Sequence, residues 1–208
     1  MSDLVDGLLN SICHRGGPHA GVLPLCLRCS SVYAGALLGT LLEIVLRIAG
    51  RRNPGRRAFV LNAFGLALMG IFGLGGLYGR FTAPEAVKVF IALYFGSAIA
   101  FFAVSCIAHE LAVPTKGRSA SIIPRGLMLL LFASWAAALA GGSAWPVRAL
   151  GVMAAGGLLV AFVVVNSAFA LVILRRVSRP ALRLAVSGVL VLALAIAEFA
   201  LFFLWRQT

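Results

Sequence analysis

Long apolar runs separated by short polar breaks dominate the hydropathy pattern of this chain. The runs cover roughly 30–49, 58–78, 86–110, 122–142, 148–174 and 182–205. Each run reaches or exceeds the ~20 residues that an α-helix needs to cross ~30 Å of hydrocarbon. They lack the two-residue alternation of a barrel strand, and a helix pairs its own backbone groups in lipid. The pattern predicts an all-α, polytopic integral membrane bundle of about six helices, with residues 30–208 as one domain.

Basic residues in the polar breaks predict the orientation of this bundle. The chain carries 18 lysines and arginines against 6 acidic residues, a net charge of +12. Twelve of the cations flank the first, third and fifth breaks: Arg47, Arg51, Arg52, Arg56, Arg57, Lys116, Arg118, Arg125, Arg175, Arg176, Arg179 and Arg183. Cytoplasmic loops carry such an excess, so we predict a cytoplasmic (inner) membrane protein with both termini extracytoplasmic. Topology and contact with anionic membrane lipids account for the charge, which needs no nucleic-acid partner.

All four cysteines and all three histidines fall into two clusters. The first cluster consists of Cys13, His14, His19, Cys26 and Cys29. The predicted topology places it in an extracytoplasmic segment, residues 1–29, that packs on the bundle. A Cys-x-x-Cys pair with further cysteine and histidine residues can hold one metal ion, and these ligand types favour zinc or iron. We expect Cys26 and Cys29 to bind the ion together with Cys13 and either His14 or His19.

The same cysteines suit other chemistry. Arg28 lies between Cys26 and Cys29 and would favour a thiolate, as in a membrane thiol-disulfide oxidoreductase whose cysteines cycle with Cys13. A structural disulfide or structural zinc that holds the N-terminal segment on the bundle is a third interpretation. The metal and redox interpretations predict opposite states of the sulfur atoms, so they can be separated by experiment.

A longer motif surrounds these cysteines. Cys13-His14-Arg15 is followed by Pro24-Leu25-Cys26-Leu27-Arg28-Cys29, then Tyr33-Ala34-Gly35 and an apolar run. This arrangement resembles a family of predicted prokaryotic membrane proteins known as a domain of unknown function (number two-zero-eight-five). The resemblance extends from Cys13 to near Gly96, with Ser31 where that family usually has glycine. It implies a prokaryotic membrane protein and names no activity.

Several charged or ligand-type residues lie outside the first cluster. We expect Arg80 and Glu198 near the outer end of the bundle, where Arg80 can receive an anionic substrate group and Glu198 can bind the metal or accept a proton. Cys106, His109 and Glu110 form a second possible metal cluster, which the topology places at the cytoplasmic end, apart from the first. Glu43 lies four residues before Arg47, a spacing that predicts an ion pair on one helix face.

The sequence thus favours a membrane protein with an extracytoplasmic-side zinc or iron site, and a membrane metalloenzyme acting on a lipidic or small molecule is one form of it. The alternatives are the thiol-disulfide oxidoreductase and a non-enzymatic assembly partner or carrier. No P-loop, dinucleotide fingerprint or His-Glu-x-x-His motif is present in the sequence. Gly35 and Gly39 have the small-x-x-x-small spacing that permits close helix packing or contact with a second copy or another membrane protein.

Overall fold

The structure is a computed structural model that describes residues 26–49, 54–77, 83–111, 122–141, 144–174, 185–194 and 197. The described residues form six α-helices and no β-strand. The helices are α1 (Leu27–Ile44), α2 (Arg56–Leu77), α3 (Glu85–Glu110), α4 (Ile123–Ala140), α5 (Ala144–Ile173) and α6 (Ala185–Leu194). A π-helical turn, Val45–Ala49, continues α1. The all-helical class predicted from the apolar runs is confirmed.

Three of the described helical stretches are long and apolar enough to cross a membrane. They are Leu27–Arg47, Glu85–Glu110 and Trp145–Ile173. Ile123–Leu139 and Ala185–Leu194 are shorter apolar helices. By length and composition, the chain is therefore suited to association with a membrane.

Helices α1 and α3 pack side by side at very close range. Gly35 faces the backbone of Leu93, and a Cβ atom on Gly39 would lie 2.7 Å from the Cα atom of Ser97. At the far end of the same pair, Arg47 donates a hydrogen bond to the Ser105 hydroxyl. The offset between the two residues is 58 in each of these three contacts, so α1 and α3 run parallel. The close packing predicted for Gly35 and Gly39 occurs within this chain.

The other helices are arranged around this parallel pair. The buried core of the described residues consists of Ala34, Val89, Leu93, Phe132, Ala136 and Leu150, from α1, α3, α4 and α5. The Tyr94 hydroxyl of α3 donates to the Leu61 carbonyl oxygen of α2, which holds that helix beside α3. Arg125, in the first turn of α4, pairs with Glu43 near the end of α1, so α4 runs antiparallel to α1. The end of the bundle where α1 and α3 finish is therefore the end where α4 begins.

Candidate functional site

Cys26 and Cys29 lie on the first turn of α1, and Cys26 is the N-terminal capping residue. Its backbone is extended (φ −63°, ψ 155°), and its Sγ accepts a hydrogen bond from the Cys29 backbone N–H at 3.5 Å. The Cys26 carbonyl oxygen accepts from Ser30 N–H at 3.0 Å and starts the helix. Both cysteines are half-buried thiols. The N-terminal end of a helix carries partial positive charge, which favours the thiolate that binds metals and attacks disulfides.

Polar groups beside the cysteines are unusually buried. Ser31 is fully buried and donates to the Leu27 carbonyl oxygen at 2.7 Å. Ser30 is also fully buried, and its hydroxyl has no hydrogen-bond partner in the described part of the chain. Arg28 donates from Nη2 to the Met69 sulfur of α2, at 3.6 Å. The guanidinium therefore reaches toward α2, and the first turn of α1 combines two thiols with a buried hydroxyl.

The remaining residues expected at this site lie outside the described residues. They are Cys13, His14, His19, Arg80 and Glu198. The four-ligand metal site and the roles of Arg80 and Glu198 stay predictions.

The second cluster occupies the last turns of α3. Cys106 and Glu110 are half-buried, and His109 is exposed. The described residues contain no group of three or more His, Cys, Asp or Glu side chains placed to hold one metal ion. Cys106, His109 and Glu110 therefore do not gather into the site that their spacing suggested. Cys106, His109 and Glu110 share one face of α3. A metal site also requires that the three side chains converge on one point.

The two clusters also lie at opposite ends of the bundle. Because α1 and α3 are parallel, Cys29 is level with the start of α3 and Arg47 is level with Ser105, the neighbour of Cys106. The 18 residues from Cys29 to Arg47 span about 27 Å at the helical rise of 1.5 Å per residue. Cys106 therefore cannot share a metal ion with Cys26 and Cys29.

A buried ionic group occupies the end of the bundle near Cys106. We call it the arginine cluster, and it consists of Glu43, Arg47, Ser105 and Arg125. Arg47 Nε donates to Glu43 Oε2 at 3.3 Å, which confirms the ion pair predicted from their spacing. Arg125 Nη2 donates to Glu43 Oε1 at 2.5 Å, and the Arg125 guanidinium lies 5.3 Å from the centre of the Phe101 ring. One carboxylate thus joins two arginines, and Arg125 lies 82 residues from Glu43 in the sequence, on another helix.

Burial makes this cluster different from a surface ion pair. The exposed fraction of the side chain is 3% for Glu43, 8% for Arg47 and 3% for Arg125. Removing a charge from water costs several kcal/mol unless its partners replace the lost hydration. The sequence did not reveal Arg125 as a member, because it was interpreted as one of the cations that set topology. Its position three residues inside an apolar helix, after Pro124, is the signal that distinguishes it from a loop arginine.

An apolar cavity of about 440 Å³ lies beside α3, α5 and α6. Two serine residues supply the polar side chains of its wall. Its lining residues are Ile107, Leu111, Val163, Val164, Ser167, Leu171, Ser187, Gly188 and Val191. Such a wall suits hydrocarbon rather than a charged group.

Comparison with known proteins finds no matching family model, no matching curated protein and no matching solved structure. The resemblance described above therefore stays a prediction from the motif residues between Cys13 and Gly96.

Proposed function

We propose that this protein is a prokaryotic inner-membrane protein with six transmembrane helices and an extracytoplasmic transition-metal site. Cys26 and Cys29 supply two sulfur ligands from the first turn of α1, and the N-terminal residues Cys13 and His14 or His19 complete a tetrahedral set. The observation that carries the proposal is the Cys29 N–H donated to Cys26 Sγ at a helix N-terminus. An N–H donor on sulfur and a positive helix end both stabilise the metal-binding thiolate.

Zinc is the ion that this ligand set favours, with iron as the second choice. A structural zinc would hold residues 1–25 over the outer end of the bundle. A catalytic zinc would activate water for attack on a lipidic or small molecule, and it requires an open coordination position. In that case Glu198 is the proposed proton acceptor and Arg80 the proposed group for an anionic substrate. The buried Ser30 hydroxyl lies on the same helix face as Cys26 and is a further polar group beside the proposed site.

A thiol-disulfide oxidoreductase is the second candidate, and the position of Cys26 supports it. A cysteine that caps a helix and accepts the N–H of the cysteine three residues later is well placed to act as a nucleophile. In this function Cys26 and Cys29 would pass two electrons and two protons to a partner disulfide and form their own disulfide. A metal ion bound by the same sulfur atoms would block that reaction, so the two candidates exclude each other.

Metal content and thiol count, measured on one detergent-purified sample, separate the candidates. We expect about one zinc or iron ion per wild-type chain and none in Cys26→Ser/Cys29→Ser, because two of the four ligands are lost. Cys106→Ser is the matched control, since it removes a sulfur at the far end of α3 and should leave the metal in place. Wild-type protein with no metal and two oxidised cysteines would support the oxidoreductase or a structural disulfide, and metal retained by the double variant would contradict the metal site.

The six-span topology has a separate test. Alkaline phosphatase is active only outside the cytoplasm, so we expect an active fusion after Thr208 and an inactive fusion after Asn53 in the first basic break. Fluorescent-protein fusions at the same two positions should give the opposite pattern. Activity of the phosphatase at both positions, or at Asn53 alone, would contradict the proposed orientation.

A further inference from the structure

The arginine cluster has one positive charge more than it has negative charges. Glu43 accepts from both Arg47 and Arg125, and the three side chains are buried. A buried charge without a compensating partner costs far more than a buried neutral group. The cluster would therefore be stabilised by one further negative charge.

Buried donors beside Glu43 are left unpaired in the described structure. Arg125 uses Nη2 for Glu43, while its Nε and Nη1 have no hydrogen-bond partner there and do not reach solvent. The Thr40 hydroxyl, one turn before Glu43 on α1, is also buried without a partner. Each unmade hydrogen bond of this kind is destabilising, because the buried donor has lost water without gaining a partner. These donors are therefore available to a ligand.

The backbone at the cluster is also unusual. Arg47 lies within the π-helical turn Val45–Ala49 that ends α1. Single π-helical turns are rare in helices and occur often at functional sites. This turn sets the direction from which Arg47 reaches both Glu43 and Ser105.

We propose that the arginine cluster binds a phosphate group, with Arg125 and Thr40 as its principal donors. Arginine is the side chain that best matches the oxygen atoms of phosphate, and a phosphodiester carries the single negative charge that the cluster lacks. Arg47 is the last residue of the apolar stretch Leu27–Arg47. If this helix spans a bilayer, Arg47 lies at the depth of the lipid phosphates. The ligand is thus a lipid headgroup or a free phosphate compound. This depth argument rests on the proposed membrane placement and is independent of the metal site.

Binding measurements on the full chain in phosphate-free detergent test the proposal. The two probes are inorganic phosphate, followed by calorimetry, and phosphatidylglycerol, followed by native mass spectrometry with diacylglycerol, which has no phosphate, for comparison. We expect Arg125→Gln to weaken binding of whichever probe binds the wild-type protein by at least about tenfold, because a charged donor is lost. Arg57→Gln is the matched control, since Arg57 is exposed on α2 at the same end of the bundle.

Thr40→Val provides a second variant whose fold should persist, because valine fills the same volume and removes an unpaired hydroxyl. It should also weaken binding without changing any charge, whereas a structural role for Thr40 would leave binding unchanged. Binding of inorganic phosphate identifies a free phosphate compound, and binding of phosphatidylglycerol alone identifies a lipid headgroup; either result supports the site. If neither probe binds, the proposal is overturned. An equal loss of affinity in Arg57→Gln and Arg125→Gln would also overturn it.

Discussion

Replacing Glu43 by glutamine is expected to lower the free energy of unfolding by about 3–5 kcal/mol. The substitution keeps the size of the side chain and removes its negative charge. Arg47 and Arg125 would then face each other in the interior without the carboxylate that both contact. The two buried cations would repel without a counter-charge, and the amide of glutamine offers one acceptor oxygen in place of two carboxylate oxygens.

The loss can be measured by thermal and denaturant unfolding of detergent-purified protein, with tryptophan fluorescence as the signal. Glu85→Gln is the matched control, because Glu85 forms an exposed ion pair with Lys88 at 3.0 Å. Exposed pairs of this type contribute only about 0–1 kcal/mol. Arg125→Gln should cost less than Glu43→Gln, since it leaves the balanced Glu43 and Arg47 pair. If Glu43→Gln and Glu85→Gln lower the free energy of unfolding equally, the negative charge of Glu43 does not stabilise the buried cluster.

Most helices could be predicted from the apolar runs because a buried or lipid-facing helix needs an uninterrupted apolar surface. The predicted segment 86–110 differs from α3 by one residue, and 122–142 closely matches α4. The start of α5 was predicted at 148 and lies at Ala144. Pro146 lies in the first turn of α5, where a helix does not need the missing backbone N–H.

The site could be predicted only where the relevant residues are close in sequence. Helical spacing predicted the Glu43 and Arg47 pair, because residues four apart share a face. Arg125 reaches Glu43 from another helix, and no local pattern encodes that contact. The capping role of Cys26 was also missed, since cysteine is not among the usual capping residues and the helix was expected to begin at 30.

Replacing Gly35 by alanine is expected to lower the free energy of unfolding by about 3 kcal/mol, the upper part of the usual cost of overpacking. A Cβ atom on Gly35 would overlap the Leu93 carbonyl oxygen and lie 2.7 Å from the Leu93 carbonyl carbon. These are backbone atoms of α3, so no side-chain rotation relieves the overlap. The parallel pair α1 and α3 must separate, and that separation would also loosen the adjoining core around Ala34 and Leu93.

Gly70→Ala is the matched control for this prediction. Gly70 lies within α2 with open space where its Cβ would be, so alanine there should be neutral or stabilise the helix by up to about 1 kcal/mol. Unfolding of both variants in the same detergent compares the same chemical change in two surroundings. Gly96→Ala should resemble Gly35→Ala, because its Cβ would overlap the Val32 carbonyl oxygen across the same helix pair. Equal stability of Gly35→Ala and Gly70→Ala would show that α1 and α3 do not approach this closely, and the register that separates the cysteines from the arginine cluster would then need revision.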